Sequence, residues 1–292
     1  MAFQGIIPPT LTAFDPDGSL NLAKTQGHVN YVIEGGVHGV FPCGTMGEGP
    51  LLSFAEKIQV IEAVVQAASG RVPVLAGVGC PSTHETVELA QEAERVGADG
   101  VIVVTPYYYP LNDEGVLAHY RAVTEAVTIP VVVYHIPSRT GNRLPVELIP
   151  RLAEIPGLAG VKDSSGDVSW LQSAMTSAPG WRFFVGSDAL LTVGLALGAH
   201  GAVSGVANIF PQLVVSLYDA AQEGDWQRAQ ELQAKVLAVS RAIKAGAYLS
   251  GVKAALRILG RDLGDPRLPL VGMSSEQEEE LRQQLAELGL IG

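Results

Sequence analysis

Residues 100–136 read GVIVVTPYYYPLNDEGVLAHYRAVTEAVTIPVVVYHI, and they indicate the class of fold. It holds two short apolar runs, at 100–107 and 129–136, on either side of a helical stretch at 113–127. Each run is continuously apolar rather than alternating, which is typical of parallel strands that are covered on both faces. The stretch therefore predicts a strand, a helix and a second strand parallel to the first.

The same pattern extends over most of the chain. Apolar, β-branched runs occur at residues 5–14, 36–44, 72–79, 100–107, 129–136, 158–164, 181–188 and 201–208. Eight near-equal βα units favour closure into a (β/α)8 TIM barrel over the rival doubly wound open sheet. After residue 210 the patterns at 211–260 and 274–288 are helical. We expect a barrel core at 1–210 and, in the same structural unit, the last barrel helix and a C-terminal bundle of about three helices at 211–292.

The composition limits the classes of function. The chain has 292 residues, of which 47% are hydrophobic and 17% are charged, so it can form one large α/β domain. Its net charge of −11 argues against nucleic acid or an anionic membrane as a partner. We expect no signal peptide, because the start MAFQGIIPPTL lacks a basic n-region and a long apolar segment. We expect no membrane span, because no apolar run approaches about 18 residues. The sequence predicts a cytoplasmic protein that acts on small molecules.

Common cofactor and metal motifs are missing from the sequence. No GxGxxG or GxxxxGK[ST] follows the first strand, which removes the usual nucleotide-binding fingerprints. Cys43 and Cys80 lack a CxxC spacing, and the six histidines lack HExxH or another metal-ligand spacing. We therefore expect two reduced, packed cysteines and a site without a metal.

Lys162 directly follows the apolar residues of the run at 158–164. Because a buried ammonium group is costly, this run alone suggests that Lys162 marks the exit of the strand into solvent. In a TIM barrel, however, catalytic residues lie at the C-terminal ends of the strands. Other predicted strand ends carry Thr45, Tyr108, Tyr134 and Gly186. We expect Lys162 to point into the mouth of the barrel with them.

A lysine in this position can act as a nucleophile. Its ordinary pKa is about 10.4, but burial among apolar residues lowers that pKa and favours the neutral amine. A neutral amine attacks a ketone and forms a protonated Schiff base, which withdraws electrons from the adjacent carbon. Tyr134 on the next strand can carry the protons. Arg139 and the backbone amides of the segment GTMGE (44–48) can hold carboxylates.

Several motifs together resemble one known family. They are GTMGE (44–48), TPYYYP (105–110), YHIPSRTG (134–141), GVKDSSGD (160–167), GVKAAL (251–256) and RLPL (267–270). The chain resembles the dihydrodipicolinate synthase/N-acetylneuraminate lyase family along nearly its whole length. The resemblance implies a class I aldolase that uses pyruvate, or a 2-oxo acid that yields pyruvate, and needs neither a metal nor an organic cofactor.

The resemblance also implies roles in catalysis. Lys162 matches the lysine that forms the Schiff base, and Tyr134 matches the proton donor and acceptor that orients the bound oxo acid. Thr45 and Tyr108 match the hydroxyl groups that complete a proton relay. In the family the tyrosine at the position of Tyr108 reaches in from a neighbouring subunit, so we expect a homo-oligomer, a tetramer arranged as a dimer of dimers.

Four further residues are candidates for substrate binding. Met46 matches the position whose backbone amide receives the pyruvate carboxylate, and Val203 matches the residue whose carbonyl faces pyruvate. Arg139 matches the guanidinium that, in the synthase branch, holds the carboxylate of the aldehyde partner. Gly186 follows the seventh predicted strand at the same end of the barrel.

Departures from the family pattern leave the second substrate open. Met46 stands where the synthases usually carry a second threonine, and His135 replaces the usual asparagine. Arg139 favours 4-hydroxy-tetrahydrodipicolinate synthesis from pyruvate and aspartate semialdehyde. Met46 and KDSSGD (162–167) favour aldolases for 2-oxo-3-deoxy sugar acids or 4-hydroxy-2-oxoglutarate, and a dehydratase is a third alternative.

A non-catalytic barrel that binds a 2-oxo acid is the competing class of function. That alternative requires a site that lacks one or more of its catalytic residues, whereas the lysine, the tyrosine and the threonine are all present here. Other polar residues have plainer interpretations. Asp163 and Asp167 are expected in loop or capping roles, and His135 in packing.

Overall fold

The computed structural model describes residues 3–245 and 247–292. Over these residues the chain forms one seven-stranded parallel sheet with the strand order β1-β7-β6-β5-β4-β3-β2. All seven strands lie inside runs that the sequence predicts. The strands are β1 (Gly5–Ile6), β2 (Leu75–Gly77), β3 (Gly100–Val104), β4 (Val131–His135), β5 (Leu158–Asp163), β6 (Arg182–Val185) and β7 (Gly201–Ala202).

The predicted strand at 36–44 is reduced to an isolated parallel bridge between Val40 and Val74. This segment still forms backbone hydrogen bonds with the strands on both sides of it. The N–H of His38 donates to Ile6 O of β1 at 2.8 Å, and the N–H of Leu75 of β2 donates to Val40 O at 2.9 Å. Regular pairing is limited because this segment and the segment after β1 contain prolines, which have no N–H to donate. The expected count of eight strands is therefore corrected to seven in the described part of the chain.

Helices cover the sheet. Side-chain caps define several of their starts: Ser53 forms a capping box with Glu56, and Asn112 accepts a hydrogen bond from the N–H of Gly115. The helices before residue 210 are α1 (Leu22–Glu34), α2 (Phe54–Ala68), α3 (Thr83–Arg95), α4 (Asp113–Ala126), α5 (Pro137–Thr140), α6 (Leu148–Ala153), α7 (Val168–Ser177) and α8 (Leu191–Ala196).

The described residues after 210 form no strand, as the sequence predicts. Their helices are α9 (Pro211–Gln222), α10 (Trp226–Ala242), α11 (Tyr248–Ile258) and α12 (Ser275–Glu287). Helix α10 packs against α9, and α11 packs against α12. Within residues 3–245 and 247–292, no helix combines the length and the apolar character that a bilayer crossing requires.

The strands separate two apolar clusters. Val131 and Val133 of β4 point to the large cluster that includes the covering helices. Val132 and Tyr134 belong to a smaller cluster enclosed by the sheet, which also contains Phe41, Leu75, Ile102, Phe184 and Val203. Since side chains alternate along a strand, this small cluster defines the inner face of the sheet.

Candidate active site

Lys162 and Tyr134 are direct neighbours on β5 and β4, and Phe184 lies opposite Lys162 on the other side, on β6. Lys162 is 4% exposed and Tyr134 is 5% exposed. Nζ of Lys162 lies 3.5 Å from the centroid of the Tyr134 ring and 5.0 Å from that of Phe41. The interpretation of Lys162 as an exit into solvent is wrong, because the lysine is enclosed between aromatic rings.

The environment shifts the pKa of both groups downward. Burial lowers the pKa of the Lys162 ammonium, and its contacts with Tyr134 offset only part of this effect. Burial alone raises the pKa of the Tyr134 hydroxyl, but the charge of Lys162 and hydrogen bonds with Thr45, Lys162 and Ser164 outweigh it. The pKa of Tyr134 is lowered as a result. Lys162 thus loses its proton more readily than an exposed lysine, and it lies beside a hydroxyl that also gives up its proton more readily than usual.

The segment GTMGE (44–48), called the GTMGE loop below, brings Thr45 to this pair. Oγ1 of Thr45 lies 3.4 Å from Oη of Tyr134. The loop turns sharply after residue 48, and a Cβ on Gly49 would lie 2.0 Å from Cys43 O, so only glycine fits there. In the described part of the chain, the backbone N–H groups of Thr45 and Met46 have no hydrogen-bond partner. Such free amides are suited to receive an anion.

A cavity of about 230 Å³ connects these groups. Seven of the eight predicted site residues line it: Thr45, Met46, Tyr134, Arg139, Lys162, Gly186 and Val203. A second cavity of about 330 Å³ shares Thr45, Tyr134 and Arg139 with the first and is also lined by Tyr107. The predicted residues, scattered along the sequence, therefore surround a common space.

Gly186 and Val203 form the wall of this cavity beside Lys162. A Cβ at position 186 would lie 2.9 Å from the backbone O of Asp163, the last residue of β5, and 2.0 Å from Oγ of Ser164, so this close approach favours a glycine. The N–H of Val203 donates to Val185 O at 2.8 Å, which extends the pairing of β7 with β6. Arg139 lies at the edge of both cavities. Among the residues described, none forms a side-chain hydrogen bond or an ion pair with the Arg139 guanidinium.

Tyr108 is the predicted site residue that does not join the others. It is 83% exposed, has a positive φ of 82° and packs its ring edge-on against Tyr109 with the centroids 5.1 Å apart. It lines neither cavity of its own chain, whereas Tyr107 lines the larger one. Within a single chain Tyr108 lies outside the cavity that contains Tyr134, and its side chain is on the surface.

The cavity wall also contains a buried carboxylate, Asp188, for which the sequence predicts no role. Asp188 accepts hydrogen bonds from the hydroxyls of Ser204 and Tyr248, and its backbone carbonyl accepts one from Gln233 at 2.8 Å. Burial raises the pKa of Asp188, and the two hydroxyl donors only partly offset this. The available signal is an aspartate two residues after a glycine at a strand end. No local sequence motif indicates that Tyr248 contacts this carboxylate.

The remaining polar residues beside the lysine have structural roles. His135 points to the outer face, where its Nδ1 lies 2.8 Å from Oδ1 of Asp163. Its Nε2 accepts from the N–H of Leu144 at 3.3 Å, so Nδ1 carries the proton that is donated to Asp163. Asp167 caps α7 by accepting from the N–H of Trp170. The expectations for His135 and Asp167 are confirmed. The expectation of a loop or capping role for Asp163 is wrong, because Asp163 is the buried last residue of β5.

Cys43 and Cys80 are free and buried, as predicted. Burial raises the pKa of Cys43 to about 12, so its thiol is not a reactive nucleophile at neutral pH. Across residues 3–245 and 247–292, no three His, Cys, Asp or Glu side chains come together in a way that would hold a metal ion.

The model of the Dihydrodipicolinate synthetase family matches residues 2–288 of the chain. The chain belongs to this family. Its members are pyruvate-dependent lyases that act on small molecules, and the enclosed lysine between aromatic rings fits that chemistry. The family resemblance predicted from the motifs is confirmed.

Individual relatives agree with this membership. The chain is 52% identical over 291 residues to an uncharacterised DapA-like lyase of Halobacterium salinarum, covering 100% of this chain and 96% of that one. It is 40% identical over 296 residues to a 4-hydroxy-tetrahydrodipicolinate synthase of Methanopyrus kandleri, covering 100% and 99%. The structure of YagE, a family protein from E. coli K12 in complex with pyruvate, matches with a TM-score of 0.96, 30% identity and complete coverage of both chains.

Proposed function

We propose that the protein is a Schiff-base lyase that condenses pyruvate with aspartate semialdehyde, the reaction of 4-hydroxy-tetrahydrodipicolinate synthase. One observation carries the proposal: a buried lysine of lowered pKa contacts the ring of Tyr134 at the wall of a cavity that also contains Thr45. This arrangement supplies a nucleophile and a proton carrier at the same point. The name of the Methanopyrus kandleri relative supports the choice of reaction.

The chemistry begins at Lys162. Its neutral amine attacks the ketone carbon of pyruvate, water leaves, and a protonated imine forms between Nζ and that carbon. The positive imine withdraws electrons, so the methyl group of pyruvate loses a proton and an enamine results. The enamine carbon then attacks the aldehyde carbon, and a new carbon–carbon bond forms. The amino group that aspartate semialdehyde contributed then attacks the imine carbon and closes the ring. The bond between that carbon and Nζ breaks, Nζ leaves as the free amine of Lys162, and the cyclic product keeps its hydroxyl group.

Tyr134 moves the protons that these steps require. Its hydroxyl lies within hydrogen-bonding reach of Thr45, and its pKa is lowered by the adjacent ammonium. It donates a proton to the oxygen that leaves as water and accepts one when the enamine forms. Thr45 passes protons onward to Tyr108, which a neighbouring subunit provides.

Anion-binding groups hold the two substrates in place. The free backbone amides of Thr45 and Met46 receive the pyruvate carboxylate, and the carbonyl of Val203 and the backbone at Gly186 enclose the rest of the molecule. Arg139 binds the carboxylate of aspartate semialdehyde. Its position at the edge of both cavities and its free guanidinium support this role.

The assembly completes the site. In this proposal residues 38–42 take the place of an eighth strand and close the barrel, which their backbone hydrogen bonds to the segments 6–8 and 73–77 support. The chain functions as a tetramer, a dimer of dimers. The exposure of Tyr108 and Tyr109 supports an interface at this point, because exposed aromatic residues are enriched where chains meet.

A second candidate is cleavage of 2-oxo-3-deoxy sugar acids to pyruvate and an aldehyde. One observation favours it: the cavity wall beyond Lys162 is rich in hydroxyl groups, from Ser164, Ser187, Ser240 and Tyr248. Such a wall can hydrogen-bond a polyhydroxylated substrate. Lys162 and Tyr134 keep the same roles in this reaction.

A panel of substrates decides between the two. The purified protein is assayed with pyruvate plus aspartate semialdehyde, and for cleavage of 2-oxo-3-deoxygluconate and of 4-hydroxy-2-oxoglutarate. The proposal expects the highest kcat/KM with aspartate semialdehyde. An enzyme that ignores aspartate semialdehyde but cleaves a sugar acid contradicts the synthase assignment and supports the second candidate.

A further inference from the structure

Helix α11 and the segment between α11 and α12 hold the GTMGE loop through Glu48, which is buried. Oε1 of Glu48 lies 2.7 Å from Nζ of Lys253 on α11. Oε2 accepts a hydrogen bond of 2.7 Å from the backbone N–H of Arg267. Both carboxylate oxygens of a loop residue are therefore held by the segment that follows the last strand.

Lys253 is itself fixed in place. It is 1% exposed, and its Nζ donates to the backbone carbonyl of Asp265 at 3.2 Å. The same atom lies 4.6 Å from the centroid of the Phe14 ring. These two contacts hold the ammonium independently of Glu48, so it provides a fixed point for the Glu48 carboxylate.

The backbone of the loop needs such a fixed point. Glu48 has φ 57° and ψ 26°, a left-handed conformation that is unfavourable for a residue with a side chain. Its N–H donates to Thr45 O at 3.3 Å, so the orientation of Glu48 is linked directly to that of Thr45. A relaxation at Glu48 would move the Thr45 hydroxyl away from Tyr134.

The ion pair between Glu48 and Lys253 is not explained by a contribution to the free energy of unfolding. Taking two charges out of water costs about as much as their attraction returns, and apolar replacements of buried pairs are often neutral. The contact also joins two distant parts of the chain at the one loop that carries Thr45 and Met46. Its consequence is therefore geometric rather than energetic.

We propose that Glu48 and Lys253 are positioning residues for pyruvate binding. Their ion pair holds the GTMGE loop so that the Thr45 hydroxyl faces Tyr134 and the two free amides face the cavity. The C-terminal helical region is thereby part of the catalytic machinery. This inference rests on the proposed function, because it assigns the loop to pyruvate.

Three variants test the inference: Lys253→Met, Glu48→Gln and the double variant. The double variant leaves no lone charge buried and so keeps the protein folded. The measurements are the melting temperature, the rate of borohydride-trapped adduct formation with pyruvate alone, and KM for each substrate. We expect the double variant to melt near the wild-type temperature, yet to form the adduct roughly tenfold more slowly or worse, since small displacements of catalytic groups are costly.

The KM values separate positioning from a general loss of structure. KM for pyruvate rises in the double variant, while KM for the second substrate changes little. Glu278→Gln is the matched control, because it breaks the ion pair that joins α12 to Arg257 on α11 without touching the loop. This control lowers the melting temperature and leaves the adduct rate unchanged.

Two outcomes would overturn different claims. If the folded double variant forms the adduct within about twofold of the wild-type rate, the pair does not position the loop. If the wild-type protein itself forms no adduct with pyruvate, the proposed function fails, whatever the variants do.

Discussion

Lys162 and Tyr134 face each other across β5 and β4, with Nζ of the lysine 3.5 Å from the centroid of the tyrosine ring. The contact follows from strand register, since both residues point to the inner face at matching positions. It lets one buried pair supply both the nucleophile and the proton carrier. The catalytic account depends on this relationship.

Removing the Tyr134 hydroxyl tests its role directly. Tyr134→Phe keeps the ring against Lys162 but removes the proton carrier, so we expect both adduct formation and turnover to fall by about 10²–10⁴-fold. Tyr120→Phe is the control, because it removes another buried hydroxyl, bonded to Val103 O at 3.1 Å, away from the cavity. That control costs about 1 kcal/mol of unfolding free energy and leaves the rate intact. A rate within about twofold of wild type for Tyr134→Phe would disprove the role.

The lowered pKa of Lys162 predicts the pH dependence of pyruvate capture. Below its pKa the lysine is an ammonium and cannot attack, and above it the amine is free, so kcat/KM for pyruvate rises with pH. The midpoint belongs to the coupled Lys162–Tyr134 pair and lies below the ordinary lysine value of about 10.4. Initial rates across a pH series give this midpoint. A midpoint at or above the ordinary value would mean that burial does not activate the lysine.

The exposed position of Tyr108 predicts that active sites are shared between chains. Tyr108→Phe retains Lys162, and Lys162→Ala retains Tyr108, so neither variant alone has a complete site. In a mixed oligomer, the tyrosine of one chain completes the site of the other. We expect co-expressed, differently tagged variants to give hybrids that are more active than the average of the two separate proteins. Hybrids no more active than that average would remove Tyr108 from the relay.

Arg139 is predicted to bind the second substrate and not pyruvate. Arg139→Ala removes the free guanidinium at the edge of both cavities, so KM for aspartate semialdehyde rises by about tenfold or more, as expected for a lost charged contact. The rate of pyruvate adduct formation stays nearly unchanged. Arg143→Ala is a suitable control, because that exposed arginine pairs with Asp167 outside the cavity. Equal effects of Arg139→Ala on both substrates would rule out the assignment.

Local sequence pattern located the strands well but not their lengths. A parallel sheet buried on both faces requires continuous apolar runs, which are visible in any single segment. The run at 5–14 shortens to Gly5–Ile6 because Pro8 and Pro9 have no N–H for the ladder. The run at 36–44 keeps its backbone hydrogen bonds but loses regular pairing for the same reason.

Site residues at the ends of strands can be predicted from the sequence. Contacts between residues that are far apart in the sequence cannot. Lys162 and Tyr134 follow from strand ends that a barrel brings together. The contact between Glu48 and Lys253 could not be foreseen, because neither residue lies in a local pattern that indicates the other. The hydrogen bond of Tyr248 to Asp188 depends on the packing of α11, which sequence periodicity does not fix.

The most direct test of the account is borohydride trapping with pyruvate, followed by peptide mapping of the modified lysine. We predict a single pyruvate-derived adduct on Lys162, reduced to a stable secondary amine, and no adduct in Lys162→Ala. The other five lysines, Lys24, Lys57, Lys235, Lys244 and Lys253, serve as internal controls in the same digest. An adduct on one of those five, or none at all under conditions where the wild-type enzyme turns over, would contradict the central claim.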